Sequence, residues 1–427
     1  MIKILVVSIA PWSRNNNFGK TFCDIFEGMK DVEFFNIYCD NGTPDNSVKA
    51  RYFQIPFTDL VKNLKNPRHK VGKVVNGCDD AVEWTPRQQG LLRKIKAHPW
   101  RIFRWAQRFI WRIGRWRTAE LKAEIEKFDA DLLFLPIFKD DYMNRVQQYV
   151  LDCAGKKAVA YYGDDNYSLR MFSLNPFVWL DRLTQRGSVK KTIDRCEYMY
   201  VVSEIEKREC EKDFRKNCYI CTKGADFSGE APVKASYPAA KRLVYTGNLG
   251  NHRWEELWHI GQALDRIGGG HRLLIYSGTS LPASVLKKFE RCASIQFKGR
   301  APASEIPTIQ SDADILVHVE SFRLQERLLV HQSFSTKIVD HYLRGRCTFA
   351  VGAPDVASID WLQKEDSAVV ATTRDAIEPQ LRKLLADDAM LTEYAVKGYA
   401  CGRRNHDIRM IQTMLRDHFR QHLGIEA

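Results

Sequence analysis

Short apolar runs rich in Val, Ile, Leu and Tyr recur along the chain, each followed by a polar loop and a longer amphipathic stretch. Ile2 to Ile9 precedes Phe18 to Met29, and Leu132 to Leu135 precedes Tyr142 to Cys153. Lys157 to Tyr161, Val189 to Arg195, Tyr198 to Val202, Glu204 to Phe214 and Cys218 to Thr222 continue the series. An apolar run too short for a helix reads as a strand buried on both faces. Strands and helices in alternation fold as a parallel sheet with helices on both sides. The expected class is therefore α/β.

The rhythm breaks once. After Gly224, ADFSGEAPVKASYPAAK brings two prolines and several small residues, the composition of a linker. A second series starts at Arg242, with strands at RLVYTG, His271 to Ser277, Ile295 to Phe297, Asp314 to Val319, Cys347 to Val351 and Ala368 to Ala371, and a helix from Trp254 to Ile267. The expected organisation is a domain over 1–225, a linker over 226–241, a second domain over 242–400, and a C-terminal helix over 401–427 that crosses back to the first. Both domains are read as Rossmann-like and doubly wound, facing one another across a cleft; 427 residues suffice for two such cores. Residues 40–90, with Pro44, Pro56, Pro67 and Pro86, carry no clear period and are read as irregular.

Sixty-five basic against 52 acidic residues leave a net charge of +13, which points to an anionic partner. The charge is concentrated: Gly90 to Ala119 holds nine Lys or Arg, four tryptophans and no acid. Arg101, Arg104, Arg108, Arg112 and Arg115 recur at helical spacing on one face, with Ile102, Trp105, Phe109, Ile113 and Trp116 on another. A basic, Trp-bearing amphipathic helix suits either an anionic membrane surface or packing on its own domain with the arginines in water. No nucleic-acid module accompanies it, so nucleic acid is not the expected partner. Eleven cysteines lack a repeated spacing, Cys218 and Cys221 have no partner pair at zinc spacing, and MIKILVVSIAP does not read as a signal sequence. The expected location is cytoplasmic, with the inner face of the plasma membrane as the site if the helix meets a bilayer.

Loops at the carboxyl ends of strands are where an open α/β sheet binds ligands. In the second domain those loops hold a glycine turn (Gly247, Asn248, with Arg253 following), FKGR ending at Arg300, Glu320 after ILVHV, and SFSTKIVDHYLRGRCTFAVG from Ser333 to Gly352. Ser335, Thr336 and Lys337 open a helical pattern that Asp340 enters one turn later. Glycine admits a phosphate closely, cations and hydroxyls bind its oxygens, and a carboxylate accepts from ribose hydroxyls. This is chemistry for a nucleoside diphosphate bearing a polar group. In the first domain, Asn15, Asn16, Asn17 and Gly19 follow the first strand, and Gly163, Asp164 and Asp165 follow another; either Asp becomes a general base only if burial or a neighbouring carboxylate raises its pKa from about 3.9. The D-x-D of Asp312 to Asp314 precedes its strand, the wrong end for a metal–diphosphate site, and no metal is expected.

The order RLVYTGNLGNHRW, FKGRAPASEIPTIQSDADILVHVES, FSTKIVDHYLRGRCTFAVG and VASIDWLQKEDSAVV resembles the donor-binding half of GT-B glycosyltransferases of family 4, of the bacterial surface-polysaccharide type. In that family G-x-L-x-x-x-K-G follows the first strand, and two glutamates stand eight positions apart. The resemblance implies a sugar transferase using a nucleotide sugar (UDP-, GDP- or similar) as substrate, without a further cofactor, on a glycan or lipid-linked acceptor, with retention of configuration. It implies that Glu320 faces the donor sugar, Asp340 the ribose, Arg253 and Lys337 the diphosphate, and residues near Arg300 the base. Two departures stand out. Glu320 and Asp340 are 20 positions apart because 321–334 is inserted, and Asn248 replaces a second arginine. A nucleotide-sugar epimerase, a non-catalytic scaffold and a polyanion-binding protein are the alternatives.

Overall fold

The first strand, β1 (Ile2–Ser8), is buried along nearly its whole length because it lies inside a sheet: Ile4 pairs with Phe34 on one side and Leu132 on the other. A computed structural model describes the chain except residues 15, 16, 77–80, 86–89, 91–100, 426 and 427; the side chains of 17, 18 and 101–104 also lie outside the described set. Helix α1 (Asn17–Phe26) follows β1, and β2 (Val32–Tyr38) extends the sheet.

Of residues 40–90, read as irregular, the part from 50 to 75 is regular, and 77–80 and 86–89 lie outside the described residues. The regular part forms β3 (Ala50–Gln54), α2 (Phe57–Lys65) and β4 (Lys73–Val75), of which β3 pairs parallel to β2 and β4 antiparallel to β3. Next come α3 (Arg101–Ile113), α4 (Ala119–Phe128), β5 (Leu132–Pro136), α5 (Asp141–Ala154) and β6 (Lys157–Tyr162). The half ends with α6 (Pro176–Ile193), β7 (Met199–Val201), α7 (Glu204–Phe214) and β8 (Cys218–Ile220). The sheet order is β4-β3-β2-β1-β5-β6-β7-β8.

The second sheet is wholly parallel, built from β9 (Arg242–Thr246), β10 (Arg272–Tyr276), β11 (Ile295–Gly299), β12 (Ile315–Val319), β13 (Cys347–Val351) and β14 (Val369–Ala371), in the order β11-β10-β9-β12-β13-β14. Its helices are α8 (Arg253–Ile267), α9 (Ala283–Glu290), α10 (Ile306–Asp312), α11 (Leu324–Val330), α12 (Lys337–Leu343), α13 (Ala357–Lys364), α14 (Ile377–Ala386) and α15 (Asp388–Asn405). Helix α15 runs through the 400/401 division drawn from sequence. The last helix, α16 (Ile408–Leu423), lies on the first half: Ile411, Leu415 and Phe419 are buried, Gln412 donates to the carbonyls of Ile25 (3.0 Å) and Glu27 (2.6 Å), and Arg416 pairs with Asp31 at 2.9 Å. One apolar cluster consequently runs from β1 and α1 into α12, α13 and α16.

Candidate functional site

The turn after β9 is shaped by its own side chains. The Asn248 carboxamide oxygen accepts from the Gly250 N–H (2.6 Å) and the Thr279 hydroxyl (3.0 Å), and the Tyr245 hydroxyl donates to the Asn248 carbonyl at 2.7 Å. Asn248, read as a donor contact, therefore has its oxygen committed to the turn. Asn251 and His252 both sit at φ 54°, a left-handed step that delivers Arg253 as the first residue of α8. Gly247 leaves the space that the Lys337 ammonium fills: a Cβ built there would overlap the ammonium, pushing the lysine aside, and come within 3.1 Å of the Tyr245 hydroxyl.

Lys337 opens α12 and lies 5.9 Å from the centroid of the Tyr245 ring. Among the described residues its ammonium has no hydrogen-bond or ion-pair partner. Burial and the nearby Arg253 guanidinium lower its pKa from 10.5 to about 8, against the pull of Glu320 and Asp340. Arg253 forms a two-armed pair with Glu320 at 2.8 and 3.0 Å, and both side chains are largely buried. Burial raises the Glu320 carboxyl above its ordinary range, and Arg253 only partly opposes this. His318, 3.8 Å from Glu320, and His341 are buried in the same wall, and burial with the surrounding cations keeps His318 neutral. The 20-residue spacing does not separate Glu320 from Lys337, whose charges act on each other; within 321–334, Glu326 of α11 accepts from His252 at 2.7 Å.

Asp340 is held from the opposite half. Lys223, buried just before the linker, donates to Asp340 at 2.5 Å and lies 3.8 Å from Asp24 of α1. Lys223 and Asp24 were invisible to sequence reasoning, because only the folded cleft brings positions 24, 223 and 340 together. Thr336 is exposed, the Ser335 N–H donates to the Ser358 hydroxyl at 2.9 Å, and Arg300 extends past Gly278 at the end of β11.

Across the cleft, the Ser333 hydroxyl donates to Asp164 at 3.3 Å, and the Ser203 hydroxyl to the Gln332 carbonyl at 2.7 Å. Asp164 is open to solvent yet ringed by both halves, and this partial burial raises its pKa, with Ser333 opposing. Asp165 differs. Its carboxylate accepts from the N–H groups of Tyr167 and Ser168, from the Ser168 hydroxyl and from Arg182 at 2.9 Å, three of these on one oxygen, so it builds the loop. Asn17 and Gly19 stand in the first turns of α1, with Gly19 buried; Asn16 lies outside the described residues.

The basic helix is rearranged relative to its sequence reading. Gly114 ends α3, where a Cβ would meet the Leu60 side chain at 2.7 Å. Trp116 thus leaves the helical face, is buried, and donates its indole N–H to the Trp111 carbonyl at 3.0 Å. Arg108 pairs with Asp181 of α6, whereas Trp105, Phe109, Arg112 and Ile113 are exposed. The side chains of Arg101 and Arg104 lie outside the described set. Asp314 of the D-x-D is fully buried, accepting from Lys234 (2.6 Å) and the Arg242 N–H (2.7 Å). Among the described residues no helix is long and apolar enough to cross a membrane.

Two Rossmann-like halves meeting at the carboxyl edges of their sheets define a GT-B fold. Solved structures match over the full length: sucrose-phosphate synthase from Thermosynechococcus elongatus (TM-score 0.65, 13% identity, 99% of this chain and 100% of that one) and Anabaena HepE in complex with UDP and glucose (0.62, 12%, 99% and 100%). The UDP-forming α,α-trehalose-phosphate synthase from Burkholderia vietnamiensis is similar at 0.58, with 10% identity over 98% of this chain and 100% of that one. No family model and no curated protein matches the sequence.

Proposed function

We propose that this chain is a glycosyltransferase that carries a hexosyl or related sugar from a nucleoside diphosphate to a glycan or lipid-linked glycan, with retention and without a metal. The observation that carries this reading is the Lys337 ammonium, unpaired among the described residues, lying over Gly247, beside Arg253, Glu320 and Asp340. As the sugar departs, negative charge grows on the bridging phosphate oxygen, and a preorganised cation there lowers the barrier. Lys337 takes that role; Arg253 is the second cation. Asp340 exchanges the Lys223 ammonium for ribose hydroxyls, Glu320 faces the sugar, and Arg300, Ser335 and Thr336 border the nucleotide. Asp164, raised by burial, is the group at the acceptor side, and in an inverting transfer it would be the base. The work is cytoplasmic, at the inner face of the plasma membrane, in surface-polysaccharide synthesis.

HepE was solved with UDP, which makes UDP and UDP-glucose the first ligands to try. Thermal unfolding in a panel of nucleoside diphosphates and their sugars is expected to show stabilisation by at least one; no shift with any of them contradicts the reading. Gly247→Ala, which displaces Lys337, should weaken the effective ligand about tenfold in a calorimetric titration.

A further inference from the structure

Helix α6 was not singled out by any motif, yet it exposes Phe177 (56%), Leu180 (59%) and Leu183 (52%) at intervals of three. Leu174, in the loop leading to it, is 90% exposed. These side chains adjoin the exposed stripe of α3: Trp105 meets Phe177 edge-on at 6.3 Å between centroids, and Arg108 on α3 pairs with Asp181 on α6. An exposed apolar surface made by two helices is uncommon unless something covers it. Charge identifies the cover. Segments 101–117 and 176–193 hold ten Arg or Lys and one acid; Arg108, Arg182 and Lys190 pair with Asp181, Asp165 and Asp194, and the other seven cations face no further acid in either segment. A second protein copy would bring the same positive field against itself, whereas an anionic bilayer complements it.

We propose that the α3–α6 surface is an interfacial platform that sets its apolar stripes among the acyl chains of an anionic membrane, and that the acceptor is a lipid-linked glycan drawn from that membrane. The segment from Asp164 to Leu174 joins the platform to the cleft directly. Its base is fixed there: Arg182 of α6 donates to the Asp165 carboxylate (2.9 Å) and carbonyl (3.0 Å) and to the Ser168 carbonyl (2.8 Å). A headgroup at the bilayer surface is thereby presented to Asp164. The lipid-linked acceptor rests on the transferase reading above; the platform does not.

The experiment is flotation of the full chain with vesicles of phosphatidylcholine alone and of phosphatidylcholine with a third phosphatidylglycerol, using wild type and the triple variant Leu174→Ser, Leu180→Ser, Leu183→Ser. Wild type is expected to float with the anionic vesicles, and the variant roughly a hundredfold less, with an unchanged melting temperature because all three leucines are exposed. Equal partition of both proteins overturns the platform. So does a wild-type dimer in sedimentation that the variant loses, since the face would then join two copies. Nucleoside-diphosphate titration of the same samples separates the two readings: membrane binding without nucleotide binding removes the transferase and leaves the platform.

Discussion

Replacing Lys337 with Met is expected to reduce nucleoside-diphosphate affinity by roughly ten- to a hundredfold or more, the loss of one charge-assisted contact of about 1.5–3 kcal/mol. The protein should not lose stability. Burial lowers the folded pKa of Lys337 from 10.5 to about 8, so below about pH 8 the fold bears the cost of a desolvated charge, and that cost is relieved as pH rises toward the unfolded value. Methionine removes the cost outright, so the variant should melt at or above the wild-type temperature near pH 7. The same titration sets the pH dependence of binding. Wild-type affinity should be flat below about pH 7 and fall as pH climbs past about 8, while the variant shows no such fall. Calorimetry from pH 6 to 9 checks this. A variant that binds as tightly as wild type removes the lysine from the account.

Arg253→Ala should instead act on the fold. Glu320 is 5% exposed at its side chain, and its pair with Arg253 is its only ion pair with a fixed cation among the described residues. Deleting the guanidinium strands a buried carboxylate, which typically costs about 3–5 kcal/mol. The pKa of Glu320 is already raised by burial and will rise further without Arg253. A carboxyl whose folded pKa exceeds its unfolded one binds protons preferentially in the fold, so the deficit of the variant should shrink as pH drops from 8 toward 5. Adding Glu320→Gln to Arg253→Ala should recover part of the loss at pH 8. Urea unfolding at the two pH values measures each term; a pH-independent deficit would show that the pair is not what holds this wall.

The architecture was legible because each β-rich run is long enough and apolar enough to be recognised alone, from Ile2 to Ser8 through Cys347 to Val351. Ala50 to Gln54 and Lys73 to Val75 were not, because both are partly exposed: β4 is a three-residue edge strand paired only with β3, and β3 is placed by pairing with β2 and β4 rather than by its own pattern. The helix assigned through Trp116 failed at Gly114, where the neighbouring Leu60, far off in sequence, leaves no room for a side chain. In the candidate site, residues within one motif were legible: Gly247 and Arg253 in one turn, Lys337 and Asp340 in another. What sequence did not reveal is partnership across the cleft. Nothing near Lys223 signals that it meets Asp340, and nothing in Asp165 tells it from Asp164 until Arg182 is seen to hold one and Ser333 the other.

The central claim is that the edge formed by Gly247, Lys337 and Asp340 holds a nucleoside diphosphate. A crystal structure of the chain with the nucleoside diphosphate that most raises its melting temperature tests it most directly. The account predicts phosphate density between the Gly247 turn and the Lys337 ammonium, with ribose hydroxyls on Asp340 in place of Lys223. A nucleotide seated elsewhere, or with its diphosphate out of reach of Lys337, would contradict it.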